Sequence, residues 1–545
     1  MWTLWHDKAV RLTPVRQTQL CAGQHDHCRL LTKTLVIHAE GADHVTLAGD
    51  PSVHSLRVTG SFTLAAHGES ETLQNPVTIK AGGGMLRIAV TLPVESYVER
   101  VVASESGPAD TMESLKALAI VVRSYALHEA HGHAEYDVCD STHCQLLHWH
   151  GVSQRKTAAH NATLETAGET LWFHRQPALA YFNKDCGGQS AAVGEVWPKA
   201  GVLPYLVAHQ DPWCGGAGQQ WATELTRAEL SAALSSHGLA APRWQHFFVG
   251  QRAASGRVIT VRLDGMVVRA EDFRIAIGET LGWNKIPSTW FEASQSGDRI
   301  AFHGRGWGHG VGLCQRGAAA MGSKGRSATE ILAQYFPQAH AADEATGKAW
   351  IALDGERFVL ETLDDGDRRF VSDIAQARAE ASQRSGLNPN APITLRAFAS
   401  TDAFRDETLS PGWVAAFTEG NWIATQPLRT LAARNLLSAT LRHEFLHALV
   451  EQEAGPAAPL WLREGLVEFW SASDAAAYRQ QTPQLTLEQV DAALRHSDTE
   501  ARSEAAHREA AIYAARLLDL YGRDRVLQWL HSGIPVQVVL SAAHR

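Results

Sequence analysis

A chain of 545 residues is several times the length of a common domain, which excludes a single small core and predicts at least two folded units. With 45% hydrophobic and 20% charged residues it is not a disordered, collagenous or disulfide-scaffold chain, and a net charge of -9 leaves no electrostatic footprint for nucleic acid. The densest apolar run, Leu115 to Val122, is broken by Lys116, so no transmembrane segment is expected, and the opening residues lack the basic and apolar regions of a signal peptide.

From Thr34 to Thr91, short alternating runs such as TLVIHA, SLRVTGSFTLAA and MLRIAVTL are separated by turn residues and predict a strand-rich region. Asp110 to His128 follows with apolar residues at helical spacing, Asp110 as its cap and Glu113 at the capping-box position. Residues 129 to 150 are irregular and rich in His and Cys. Strands return at RVITVRL and RIAF, ahead of the glycine-rich stretch 304–325 and a helix over Ala328 to Tyr335. The polar, turn-rich segment 340–348 is the expected boundary, giving domains 1–345 and 346–545. Beyond it come a helix near Asp373 to Ser385, a strand PITLRAF, and amphipathic helices at Arg434 to Glu453, Trp461 to Ser471 and Ser503 to Tyr521.

His443-Glu444-Phe445-Leu446-His447 places two imidazoles on one helix face, the geometry that a zinc ion needs. Glu444 between them can take a proton from a metal-bound water. The downstream helix WLREGLVEFW offers Glu464 as the third ligand, with Glu468 one turn later as its competitor. The segment from about 390 to 530 resembles a gluzincin-type metallopeptidase of the MA clan. That resemblance implies His443, His447 and Glu464 as ligands, Glu444 as general base, and a peptide or protein substrate.

In the first half, His133, Cys139, His143 and Cys144 offer two thiols and two imidazoles within twelve residues, which suits a structural zinc site. A Cys139–Cys144 disulfide is the alternative, and His128, His131, His148 and His150 compete as ligands. Seven cysteines leave one thiol over in any disulfide scheme, with Cys21 and Cys28 close in sequence.

These residues belong to a longer series: LPVESYVERVVASESGP, ESLKALAIVVRSYAL, DVCDSTHCQ, NKDCGGQS and GRGWGHGVGLCQRGAAAMGSKG with EILAQYFP. In that order they resemble the SpoIID/LytB domain along residues 85 to 340. The resemblance implies action on peptidoglycan glycan strands in the bacterial cell envelope, as a lytic transglycosylase or as an enhancer of a wall amidase. It puts the catalytic glutamate on Glu105, whose bland alternative is a helix-opening residue favoured by the dipole. Glycines free the loop from Gly304 to bring Arg305, Trp307, His309 and Gln315 to a sugar: Trp307 to stack, Arg305 to meet a muramyl carboxylate, His309 to orient a hydroxyl. The same residues could equally pack a core. Cys314 reads as a buried thiol, and Cys186 and Cys214 as a pair that an envelope location permits. The expected whole is an α+β protein: a strand-rich SpoIID-like domain with helices, then a mainly helical zincin-like domain, with two zinc ions, one structural and one catalytic.

Overall fold

Apolar residues at every second position build the first layer. In Ser55–Ala66, for example, Leu56, Val58, Phe62 and Leu64 are buried while their neighbours face outward. The computed structural model describes residues 8–22, 27–47, 52–66, 69–128, 133, 135–149, 156–215, 218–239, 243–495, 499–535 and 537–538. The candidate ligands His131 and His150 lie outside these. The chain divides into two compact units, Met1–Gly347 and Lys348–Arg545, the first opening strand-rich and the second rich in helix.

The first unit opens with an antiparallel sheet of β1 (Ala9–Ala22), β2 (His27–Leu30), β3 (Leu35–Glu40), β4 (His44–Leu47), β5 (Ser55–Ala66), β6 (Glu69–Leu73), β7 (Val77–Gly82) and β8 (Met85–Val90). Its order is β4-β3-β1-β5-β7-β8, with β2 on β1 and β6 on β5. The strands begin well before Thr34, where the sequence pattern starts. Pro14 and the register shifts between Pro14 and Gln19 interrupt the alternation of β1 and hide it from a periodicity search. Cys21 and Cys28, opposite each other on β1 and β2, form a disulfide.

Helices α1 (Val94–Glu105), α2 (Met112–Leu127) and α3 (Lys156–Glu165) follow. Thr111, not Asp110, caps α2, and Ser114 completes the capping box in place of Glu113. Asp110 is spent on the Gly107 amide at 2.6 Å, and Glu113 on Lys116 and the Ala328 amide. The α2 stretch from Ala117 to Val122 is almost wholly excluded from solvent. Within that core Arg123 makes a bidentate ion pair to Glu95 of α1 at 2.7 and 2.6 Å. The same guanidinium donates to the Glu169 carbonyl. Thus two of the motifs quoted above grip each other, and α1 is fixed at its start.

A smaller core lies inside the same unit, built from Leu225, Leu230, Phe247, Phe273, Phe291 and Phe302 among others. It is enclosed by the strands Gln220–Thr226, Phe291–Ser296 and Arg299–Arg305 and by two helices, Arg227–Ser236 and Ala270–Leu281. The segment read as a linker also contributes structure. His340–Asp343 pairs antiparallel with Glu169–Trp172, and Ala342 is fully buried there.

In the second unit a five-stranded sheet has the order Ile351–Gly355, Phe358–Thr362, Ile393–Ala397, Trp422–Thr425, Ala416–Glu419. Its inner pairs are parallel and its two edge pairs antiparallel. The helix carrying HExxH runs Leu437–Glu453, beginning later than Arg434, which instead ends the short helix Leu428–Ala433. Leu441, Phe445, Leu446 and Leu449 bury one side of it, and Leu462, Leu466 and Phe469 bury the next helix, Leu460–Ser471. Among the described residues no helix is long and apolar enough to cross a membrane.

Candidate functional site

Glu105 ends α1; it does not open a helix. At a helix C-terminus the carbonyl groups face outward with partial negative charge, so the dipole disfavours a carboxylate there, and the dipole-favoured alternative fails on position. The residue is half-buried. Desolvation pushes its pKa up to about 7, against the opposing pull of the Gln315 side chain and the Lys184 charge. Gln315 also reaches back to the Glu105 carbonyl, its Nε2 donating at 3.4 Å across 210 positions of sequence.

Gln315 stands where it does because two distant segments run side by side. Phe182–Asn183 pairs in parallel with Leu313–Cys314, and Asp185 bridges to Trp307. Asn183 fixes this junction by donating its side-chain amide to the carbonyls of Val311 and Leu313. Gly312 has a φ of 71°, and a Cβ there would run into the Tyr181 carbonyl. The close approach needs glycine at that point.

The four loop residues divide. Trp307 carries the Lys184 ammonium over its ring at 5.4 Å, and the same charge acts on Glu105, so Trp307, Lys184, Gln315 and Glu105 form one constellation. Arg305 is stacked on Trp290 at 3.4 Å. His309 accepts the Val311 amide on Nδ1 and lies 4.9 Å from the Trp197 ring, with its pKa pushed down by burial to about 4. Arg305 and His309 therefore brace the loop from behind. Lys184 sits inside the quoted NKDC motif, yet an exposed lysine offers no sequence signal of its own.

His133, Cys139, His143 and Cys144 come together, with one ligand atom from each lying within 4.8 Å of all the others. His133 Nε2 is 3.2 Å from Cys144 Sγ, which is 3.6 Å from His143 Nδ1. Tetrahedral zinc with bonds near 2.3 Å to sulfur and 2.0 Å to nitrogen separates such ligands by about 3.5 Å, so the donor set fits. Cys139 and Cys144 are free thiols, and His148 is exposed. The loop they anchor clasps α1: Tyr97 donates to Gln145 at 2.9 Å, the His148 amide to Ser104 at 2.8 Å, and Arg100 lies over Trp149. Ser104 directly precedes Glu105.

In the second unit His443 Nε2 and His447 Nε2 are 3.1 Å apart, and Glu464 Oε2 is 3.9 Å from His447 Nε2. The expected edge of a zinc tetrahedron with these donors is about 3.3 Å, so the three residues fit such an ion. Glu468 is engaged elsewhere, accepting from Tyr478 at 2.8 Å. Burial raises the Glu444 carboxyl above its ordinary range, although Thr418 donates to it at 2.6 Å from the sheet edge. Glu464 also meets His507, 3.2 Å away on the helix Glu500–Tyr521. Thr418 lies in PGWVAAFTEGNWIATQP, which reads as the strand and edge ahead of HExxH, but sequence reasoning gave it no role, and it missed His507 altogether.

Residues 83–173 match the family model described as Stage II sporulation protein. This stretch is similar to the SpoIID domain. A second family model, a domain of unknown function (DUF8618), matches residues 217–312, the segment that holds the smaller core of the first unit. The chain is 28% identical over 248 residues to an uncharacterized protein of Brachyspira hyodysenteriae, covering 45% of this chain and 65% of that protein. Stage II sporulation protein D of Bacillus subtilis is 28% identical over 306 residues, 52% of this chain and 84% of its own length. An amidase enhancer of Bacillus subtilis is 24% identical over 287 residues, 44% of this chain and 39% of that protein.

Proposed function

We propose that the first unit is a lytic transglycosylase remodelling peptidoglycan glycan strands in the bacterial cell envelope, with Glu105 as its only acid and base. The observation that carries this reading is a carboxyl group with a pKa near 7, set beside the Gln315 amide and acted on by the one cation that lies over Trp307. A group poised at the working pH can both give and take a proton. Protonated Glu105 gives its proton to the glycosidic oxygen as the bond to the anomeric carbon breaks. The resulting carboxylate, stabilised by Lys184 and Gln315, then takes the proton of the sugar's own 6-hydroxyl as that oxygen closes the 1,6-anhydro ring. No second carboxylate is needed, unlike ordinary glycoside hydrolysis.

For the second unit we propose a zinc metallopeptidase in which His443, His447 and Glu464 hold the ion and Glu444 is the base. When bound, zinc supplies a Lewis acid beside Glu444. Thr418 orients the Glu444 carboxylate, and Glu464 is positioned in turn by His507. A structural zinc on His133, Cys139, His143 and Cys144 completes the expected metal content.

The test is mass spectrometry of purified glycan strands after incubation with the full chain. Release of 1,6-anhydro ends by the wild type and their loss in Glu105→Gln is the expected result, because the amide keeps the shape and cannot exchange the proton. Undiminished turnover by that variant would sink the assignment. A wild type that releases no anhydro ends but stimulates a wall amidase favours the second reading, a binding protein akin to the amidase enhancer.

A further inference from the structure

Cys186, Cys214 and Cys314 come from three separate segments and meet in the interior of the first unit, each fully excluded from solvent. Asp211 joins them, and one ligand atom from each of the four lies within 4.8 Å of the others. The expected Cys186–Cys214 disulfide is absent: all three are free thiols. We propose that these four residues form a second structural zinc site, distinct from the His133 cluster, that ties the glycan-site loop to the rest of the unit.

The spacing is that of a coordination shell. Tetrahedral zinc with bonds near 2.3 Å to sulfur and 2.0 Å to oxygen sets ligand separations of about 3.8 Å between sulfurs and about 3.5 Å between sulfur and oxygen. Cys314 Sγ and Cys214 Sγ are 3.6 Å apart, and Cys186 Sγ is 3.2 Å from Asp211 Oδ2. The outer groups already point the ligands inward. Asp211 spends Oδ1 on the amides of Trp213 and Cys214, leaving Oδ2 to the thiols, with the Tyr335 hydroxyl donating to it at 2.9 Å. Cys314 caps the helix Gln315–Ser323, and its sulfur accepts from the amides of Cys186 and Gly317. Amides directed at a sulfur stabilise a thiolate more than a thiol.

Charge supplies an independent argument. Three thiolates and one carboxylate around a divalent ion leave a net negative cluster, and Arg257 is buried beside it at 2% exposure. Its Nη2 donates to the Cys186 carbonyl at 2.8 Å, and the acidic groups that act on it are Glu271 and Glu195. Keeping a buried guanidinium charged is costly, and an anionic metal centre behind Cys186 adds to what Glu271 and Glu195 supply. Without a metal, the three thiol protons go from Cys186 to Asp211, from Cys214 to Asp185 at 3.1 Å and from Cys314 to the Cys214 sulfur. Metal binding releases those protons and replaces each bond with coordination. Cys314 is followed directly by Gln315, so the ion would hold the backing of Glu105 in place.

The test is anomalous diffraction at the zinc edge on crystals of the full chain, purified without chelator. A peak about 2.3 Å from all three sulfurs is the expected result. Three thiols with no peak between them, or a disulfide joining two of them, overturns the proposal. In solution, Cys314→Ser and Asp211→Asn should each lower zinc content by one equivalent per chain, while His143→Ala removes a different equivalent. Unchanged zinc in a folded Cys314→Ser variant also overturns it, and if that variant does not fold, the wild-type anomalous map decides.

Discussion

Glu105 and Glu444 are both carboxyl groups whose pKa burial raises, but their neighbours differ in kind. Glu105 meets an amide and the charge of one exposed ammonium, and it stands at a helix end whose dipole also favours the neutral form. Glu444 lies in mid-helix between two imidazoles, with a second carboxylate, Glu464, close by. The first can work as an acid with nothing added. The second sits among donors whose spacing fits a cation. One raised carboxyl therefore argues for proton transfer by the side chain alone, the other for a base serving a metal.

The sharpest way to break this contrast is to remove one carboxylate at a time from the second unit. Glu444→Gln should keep its zinc and lose peptide hydrolysis by about 10²- to 10⁴-fold. Glu464→Gln should lose zinc first and activity with it, as metal analysis of the two variants would show. Equal zinc loss in both would erase the distinction between base and ligand.

The next effect is on stability. α1 delivers Glu105 from a start pinned by the buried Arg123–Glu95 pair, whereas the helix of Glu444 is held mainly by apolar packing. Arg123→Met leaves Glu95 unpaired in the core and should cost about 3 to 5 kcal/mol in urea unfolding of the first unit. Recovery in Arg123→Met/Glu95→Gln would assign the loss to the stranded charge. A loss under about 1 kcal/mol would show that packing alone holds α1.

The difference between the two sites also explains what could be read in advance. HExxH is written in five consecutive residues of one helix, so periodicity and residue type suffice to place its imidazoles on one face. The constellation of Glu105 is spread over α1, residue 184 and residues 307–315, and depends on a parallel pairing of two-residue strands that no local pattern announces. Only the order of the motifs pointed there. Strand β1 was hidden by its proline and bulges, and the strand His340–Asp343 by a polar sequence that reads as a linker. The three cysteines near Asp211 were legible one by one, but their convergence was not, because spacing carries no information when ligands come from separate segments.

A smaller effect follows from the raised pKa of Glu105. Its folded value, about 7, exceeds the ordinary 4.5, so the neutral form is favoured on folding. The stability this contributes is fully present below the unfolded pKa and is lost as pH rises through the folded one. Glu105→Gln has no proton to lose, so its melting temperature should approach and then exceed that of the wild type between pH 5 and pH 8. After discounting for partial exposure the gain is about 1 to 2 kcal/mol at the alkaline end. A gap that does not change with pH would place the Glu105 pKa in the ordinary range.

The smallest effect separates the acid from its cation. Lys184 lowers the Glu105 pKa, opposing burial, so Lys184→Met should let that pKa rise further. The alkaline limb of glycan cleavage should then move to higher pH by a few tenths of a unit, the size expected of an exposed charge screened by water. The plateau rate should fall at the same time, about several-fold, because the carboxylate formed when Glu105 gives up its proton loses its nearby positive charge. Both changes should be reversed by Lys184→Arg, which restores the charge. If Lys184 serves only to pack on Trp307, the methionine variant, similar in length and apolar, should leave the pH profile in place. A limb that moves to lower pH would mean that another group, not Glu105, titrates in the profile.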